Sequence, residues 1–324
     1  MSKDRMLASR RLDIALALLD QNDIEAAIEV AQAALSADPD WQETHFVLGD
    51  MFERADQREN AIEAFRQCLA LDPVDRMGAE IRLTLLGAVA LRDRLPPDYV
   101  RALFDDYAPR FETSLRDGLV YRGPELLFEA VRSWLPELLR PLRVLDLGCG
   151  TGLVADVFAG HVDVIDGVDL SPRMINRARA KGMYRNLVAA DITDLPDSLD
   201  DDYGLVLAGD VLNYLGDLGP ALRAAHARLV PGGLMVFTLE HGDIFPFDLG
   251  PGQRFRHHEG AIYDWLKDCQ FELLSDATGI LRQEKGRPVS GRIMVVRAGD
   301  GIANLLGGHD CVSEPDHSID QTVH

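Results

Sequence analysis

Along its first ninety or so residues the chain spaces apolar side chains three and four apart, as an amphipathic helix does. Two stretches, IEAAIEVAQAALSADPDW and RENAIEAFRQCLALDPVD, repeat one pattern 34 residues apart, so that Ala27 matches Ala61 and Pro39 matches Pro73. Each ends on Asp-Pro, and proline stops a helix. Residues 75–93, DRMGAEIRLTLLGAVALRD, predict a further helix that caps the pair. LPPDYV (95–100) breaks the helical pattern and marks a boundary. Short amphipathic helices follow, interrupted at DGLVYRGP. From Leu142 the period changes. Apolar runs predict strands near 143–147, 163–168, 186–190, 204–208 and 234–239, with helices near 152–159, 172–181 and 218–229. That alternation is α/β, a mostly parallel sheet with helices on both faces. FELLSDA and GRIMVVRA, flanking GRPVSG, predict a terminal antiparallel pair. Residues 299–324 have no periodicity and read as a disordered tail.

The 34-residue period resembles tetratricopeptide (TPR) repeats. Leu48, Gly49, Phe52, Ala61, Phe65 and Pro73 fall at that repeat's small, bulky and terminator positions. The first copy is weaker, with Ala15 and Leu18 where Gly49 and Phe52 stand. The resemblance implies an all-α array over 1–93. Such an array either docks a protein partner or packs on its own second domain or another copy. The expected organisation is then repeats at 1–93, a helical lead-in at 94–141, an α/β core at 142–298 and the tail.

At 324 residues and 47% hydrophobic, the chain can bury a large core. It holds no apolar run near the ~20 residues of a membrane span. The N-terminal apolar run, Ile14 to Leu19, is too short for a signal peptide. These features predict a soluble, cytoplasmic protein without a membrane partner. The net charge of −20 disfavours nucleic acid as a partner, because binding it requires neutralising phosphates. Cys68, Cys149, Cys269 and Cys311 lie far apart, and no Cys/His cluster has ligand spacing, so no metal is expected.

The candidate chemistry starts at VLDLGCGTG, where strand 143–147 runs through a glycine loop into a helix. A helix N-terminus behind glycines holds anions and nucleotides on backbone N–H groups. The spacing is Asp146, Gly148, Gly150, Gly152, not the G-x-G-x-x-G of dinucleotide sites, since Leu153 stands where the third glycine would be. No Walker lysine follows. Four strands end in acids: Asp146, Asp169, Asp191 and Asp210. Ligands of open α/β sheets bind beyond those ends. Clustered carboxylates suit a ligand with a diol, an amine and a positive centre.

S-adenosyl-L-methionine is such a ligand. VLDLGCGTG, GVDLSPRMINRAR, AADITDLP, LVLAGDVLNYLGDL and LVPGGLMVFTLE, in that order, resemble the motifs of class I S-adenosylmethionine-dependent methyltransferases over about residues 100–298. The resemblance implies a Rossmann-like sheet and that cofactor. It implies that Asp146 steadies the glycine loop and the cofactor's methionine end, with Gly148, Gly150 and Gly152 at the amino-acid moiety. Asp169 would bind the ribose, Leu170 pack on adenine, and Asp191 and Ile192 bind adenine. A FDDYAPRFE-type segment ahead of the core suggests Tyr107 and Tyr121 as closing over the cofactor.

The methyl acceptor is expected over the end of the fourth strand, walled by Asp210, Asn213 and Tyr214. The absence of an NPPY-type tetrad lowers nucleic acid and glutamine as acceptors without naming another; the expectation is oxygen, nitrogen or carbon of a small molecule, with a protein acceptor left open. Asp210, His241 and His257 are the candidate general bases, and His257 also a substrate contact; histidine titrates near neutrality. Arg254 and Arg256 are candidates for holding an anionic acceptor. The rival reading is a repeat-based interaction scaffold whose Rossmann-like domain binds cofactor without turnover.

Overall fold

The computed structural model describes residues 2–114, 121–284 and 286–299. The tail predicted for 299–324 lies, apart from Gly299, outside the described residues, as does part of DGLVYRGP. The chain opens with helices α1 (Lys3–Asp20), α2 (Ile24–Ala37), α3 (Gln42–Arg54) and α4 (Arg58–Leu71). Ser2 and Asp23 cap the first two, each side chain accepting from a backbone N–H of the first turn. Pro39 and Pro73 follow α2 and α4 within two residues, as the repeat pattern requires. Gly49 lets the second pair close, because a Cβ there would stand 2.5 Å from the Phe65 ring. The expected capping helix is only α5 (Ala79–Leu85), since 86–96 leaves helical geometry.

The two prolines of LPPDYV start a helix and do not break one. Pro96 is the N-cap and Pro97 the first residue of α6 (Pro97–Tyr107), where a missing N–H costs nothing. Next come α7 (Phe111–Ser114) and α8 (Gly123–Val131). The core then alternates β1 (Arg143–Leu147), α9 (Leu153–Phe158), β2 (Val164–Asp169), α10 (Pro172–Lys181), β3 (Asn186–Ala189), β4 (Tyr203–Ala208), α11 (Gly219–His226) and β5 (Leu229–Glu240). A small ribbon, β6 (Phe247–Leu249) and β7 (Phe255–His257), and helix α12 (Glu259–Asp268) precede β8 (Phe271–Glu284) and β9 (Arg287–Ala298).

The seven-stranded sheet has the order β3-β2-β1-β4-β5-β9-β8, with β9 antiparallel to both neighbours. Every residue of central β4 is buried, as in a strand covered on both faces. Leu145 and Leu147 face the layer of α11 and α12, whereas Val144 faces α8 and α9. Two expectations need correction. GRPVSG is not the connection between the last strands but the first half of β9, and β8 runs on to Glu284, so the terminal pair is a hairpin of 14 and 12 residues. β5 begins at Leu229, five residues early.

The repeats meet the core through one apolar cluster. Ile81 of α5, Leu95, and Tyr99 and Val100 of α6 pack on Phe255 of β7. Tyr99 also donates to Gln253 Oε1 at 2.7 Å. Backbone bonds tie the connector to the loop after β4: Leu95 N–H reaches Tyr214 O at 3.1 Å, and Asp93 O accepts from Gly216 at 2.7 Å and Asp217 at 2.9 Å.

Candidate cofactor and acceptor site

One cavity of about 310 Å³ opens beyond the carboxyl ends of β1, β2 and β4. Gly148 and Gly150 form its floor, with φ of 67° and 54°, left-handed values that favour glycine. At Gly148 a Cβ would meet Val211 at 2.4 Å. Gly152 (φ 89°) is the N-cap of α9 and, like Asp146, is absent from the cavity wall.

The strand-end acids each find a different partner. Asp169 Oδ2 accepts from Gly150 N–H at 2.9 Å and Oδ1 from Ser171 N–H at 2.8 Å. One lone pair on each oxygen remains, enough for a ligand diol. Burial pushes its carboxyl up to about 6. Asp146 is fully buried; Oδ2 accepts from Tyr184 OH at 2.6 Å, and Oδ1 has no partner. Burial lifts this carboxyl to about 7. Asp191 Oδ1 accepts from both Thr193 N–H and Oγ1, while Oδ2 takes a 2.5 Å ion pair from Arg94. Burial pushes the Asp191 carboxyl up, but these bonds outweigh it and hold the group below its ordinary value.

Asp210 sits at φ 59° and receives Asn213 Nδ2 at 2.6 Å and Arg282 Nη1 at 3.1 Å. Arg282, 1% exposed, also donates to Glu240 and, at 2.8 Å, to Glu284. Arg254 donates to Glu284 at 2.5 Å and to Tyr214 OH at 3.2 Å. Two guanidiniums thus face three carboxylates at this end of the cavity. Aromatic rings cover it from outside. Phe104 stands edge-on to Tyr214 at 5.4 Å and to Phe111 at 6.2 Å, and Tyr107 to Phe111 at 5.6 Å. Tyr121 lines the wall too, its phenol raised well above its ordinary value by burial.

Of the residues singled out from the sequence, Gly148, Gly150, Asp169, Leu170, Asp191, Ile192, Asp210, Tyr214, Tyr107 and Arg254 line this one cavity. The histidines do not. His257 is wholly buried at the end of β7, its Nε2 2.8 Å from Leu215 O, and burial lowers its titration to about 4. It is a packing residue, and the expectation that it contacts substrate is corrected. His241 pairs with Asp243 at 3.5 Å on the surface, away from the cavity. Asn213 is also corrected: it is fully buried behind the wall, where its side chain bridges Asp210 and the Glu240 N–H. Arg256 pairs with Asp248 off the cavity. Sequence reasoning missed Arg94 and Arg282, which reach the cavity from segments without a recognisable motif, and passed over Phe104 and Phe111 within FDDYAPRFE, where it singled out Tyr107.

The donor set fits S-adenosylmethionine. Asp169 offers lone pairs to a diol, and the glycine floor brings bare backbone to the cavity, where Arg94, Arg254 and Arg282 balance Asp169, Asp191 and Asp210 in charge. Asp146 Oδ1, under the loop and off the cavity wall, has no partner among the described residues. Among the described residues, no group of three or more His, Cys, Asp or Glu is arranged to hold a metal.

The strand order β3-β2-β1-β4-β5-β9-β8, with the glycine loop after β1, is that of a Rossmann-like sheet ending in an antiparallel strand. Residues 120–274 match the family model described as a methyltransferase domain, and residues 8–40 and 42–75 match the tetratricopeptide repeat. The two matches follow one another along the chain, the repeats first and the methyltransferase-domain model after them. Among curated relatives, it is 34% identical to the malonyl-[acyl-carrier protein] O-methyltransferase of Pseudescherichia vulneris, over 31% of this chain and 39% of that protein. It is 36% identical to human methyltransferase-like protein 27 (44% and 59%) and 36% to the ubiquinone biosynthesis O-methyltransferase of Cereibacter sphaeroides (48% and 64%). The chain spans less than two thirds of the length of these relatives. A solved Burkholderia thailandensis 1,6-didemethyltoxoflavin-N1-methyltransferase, with S-adenosylhomocysteine bound, aligns at 23% identity and TM-score 0.48 over 65% of this chain and 94% of that one.

Proposed function

We propose that the chain is an S-adenosylmethionine-dependent methyltransferase acting on a small molecule. The observation that carries this is the convergence of Gly148, Gly150, Asp169, Asp191 and Asp210 on one cavity that aromatic side chains close. S-adenosylmethionine, when bound, supplies a methyl group already activated on a sulfonium. Alignment then accounts for much of the acceleration, of order 7–11 kcal/mol in favourable cases. Asp169 accepts the ribose hydroxyls. Asp191 and Ile192 meet the adenine, with Leu170 against its face. The backbone at Gly148 and Gly150 receives the amino-acid end. Phe104, Tyr107 and Phe111 exclude water. Asp210 is engaged by Arg282 and Asn213, which makes it a fixed wall of the site and a poor free base. Tyr121 and Tyr214 are the phenols left facing an acceptor.

A small acceptor is supported by the enclosure of the cavity and the net charge of −20, which repels nucleic acid. The Cereibacter sphaeroides relative, named for ubiquinone biosynthesis, points the same way, while the malonyl-[acyl-carrier protein] enzyme is named for an acceptor carried on a protein. Among the described residues no helix is long and apolar enough to cross a membrane. For the repeats we propose a protein partner on the surface that α5 and α6 leave uncovered, since one end of the array already packs on the core. Calorimetric titration with S-adenosylmethionine, S-adenosylhomocysteine and NAD tests the core of the reading. Micromolar binding of the first two without NAD is expected; NAD binding alone overturns it. Release of S-adenosylhomocysteine on incubation with metabolite extracts then separates an enzyme from a cofactor-binding scaffold, which would release none.

A further inference from the structure

The adenine side of the cavity is not built by the methyltransferase domain alone. Residues 93–95 lie before the 120–274 match and connect the repeats to the core. They run antiparallel to the loop after β4, bridging Arg94 to Leu215. Three backbone bonds hold that pairing, so Arg94 springs from a fixed base. Its side chain crosses to the loop after β3, where Nη2 meets Asp191 Oδ2 at 2.5 Å and Nη1 meets Thr193 Oγ1 at 3.2 Å. Arg94 itself lines the cavity beside Leu170, Asp191 and Ile192.

The lone pairs give this geometry a consequence. Thr193 fills both acceptor positions of Asp191 Oδ1 with its N–H and its hydroxyl. Only Oδ2 can receive a ligand donor, and Arg94 already occupies one of its two positions. Thr193 therefore decides which oxygen faces the ligand, and Arg94 decides which direction on it remains open. The buried Nε of Arg94 has no partner among the described residues, which leaves an unmet donor beside the same spot.

We infer that Arg94 is a positioning residue for nucleobase recognition: through Asp191 it selects an exocyclic amine over a carbonyl at the base edge. This rests on the adenine-side placement of Asp191 proposed above. A carboxylate oxygen aimed at the base attracts an N–H donor and repels a carbonyl oxygen. Without the guanidinium, only Thr193 holds Asp191, both positions on Oδ2 are open, and that preference weakens.

The test measures calorimetric affinities of the full chain for S-adenosylhomocysteine and for its 6-oxo counterpart, S-inosylhomocysteine. Wild type, Arg94→Met and Arg94→Lys are compared, with thermal midpoints as a control on folding. Wild type is expected to prefer the amine. Arg94→Met should lose about tenfold for S-adenosylhomocysteine, the scale of one charge-assisted hydrogen bond, while S-inosylhomocysteine changes less, so the discrimination narrows. Arg94→Lys should restore part of it. Equal S-adenosylhomocysteine affinity in wild type and Arg94→Met overturns the inference, and so does an equal loss for both ligands, which marks a purely structural role. If wild type binds S-adenosylhomocysteine with no preference over the 6-oxo ligand, the inference falls while the functional reading stands. Failure of wild type to bind either removes both.

Discussion

Asp169 holds two backbone N–H groups and keeps two lone pairs for a ligand, so its loss should be felt by the ligand before the fold. Asp169→Ala is expected to weaken S-adenosylhomocysteine binding about a hundredfold, the worth of two hydrogen bonds to a charged group, with the fold retained by circular dichroism. Unchanged affinity contradicts the ribose assignment. Asp146 makes a pH statement. Its folded value of about 7 lies above the ordinary ~3.9, so its contribution to stability is fully present below about pH 4 and is lost as pH rises through 7. Urea unfolding of wild type and Asp146→Asn at pH 5 and pH 8 should show the variant gaining on wild type at the higher pH. A gap equal at both pH values contradicts the raised carboxyl. The sequence made these two acids legible because each closes a strand ahead of a turn. It left Arg282 illegible, since nothing in ILRQE signals a partner 72 positions away at Asp210.

At the scale of elements, alternating apolar runs gave the positions of β1 to β4 and of α9 and α10 to within a residue, while α11 ends three residues sooner than expected. That pattern is local, and parallel strands buried on both faces display it plainly. What stayed hidden was set by tertiary partners. β8 continues past FELLSDA through polar and mixed positions because β9 pairs with it along its length, and its far half carries Arg282 under the site. Pro96 and Pro97 are equally suited to ending a helix and starting one, and only the packing of α6 on Phe255 decides between them. The hairpin is anchored by charge: Arg282→Met would leave Asp210 without its cation and Glu240 with only Arg254, 4.0 Å away. We expect a loss of about 3–5 kcal/mol in chemical denaturation, the usual cost of breaking a buried pair from one side. A loss below about 1 kcal/mol would show that water already reaches these acids.

Across the whole molecule, the repeats and the core share the cluster of Ile81, Leu95, Tyr99, Val100 and Phe255. Ile81→Ala removes buried methylenes from that cluster and should cost about 2–5 kcal/mol. If the two halves are coupled, the thermal midpoint of the core, followed by bound S-adenosylhomocysteine, falls with that of the repeats; an unchanged core midpoint would show that they unfold independently. The buried Arg282 network also has a consequence in time. Domains fold from the N-terminus as they are synthesised, at about 5–20 residues per second. The repeats close on neighbours already made. Asp210 and Glu240, however, leave the ribosome well before the arginine that neutralises them, and β5 leaves before the strand that covers its edge. The nascent chain therefore carries a finished arm ahead of an unfinished sheet, and a ribosome that stalls short of the last hairpin delivers two uncompensated acids and a bare strand edge to the chaperones and proteases of the cell.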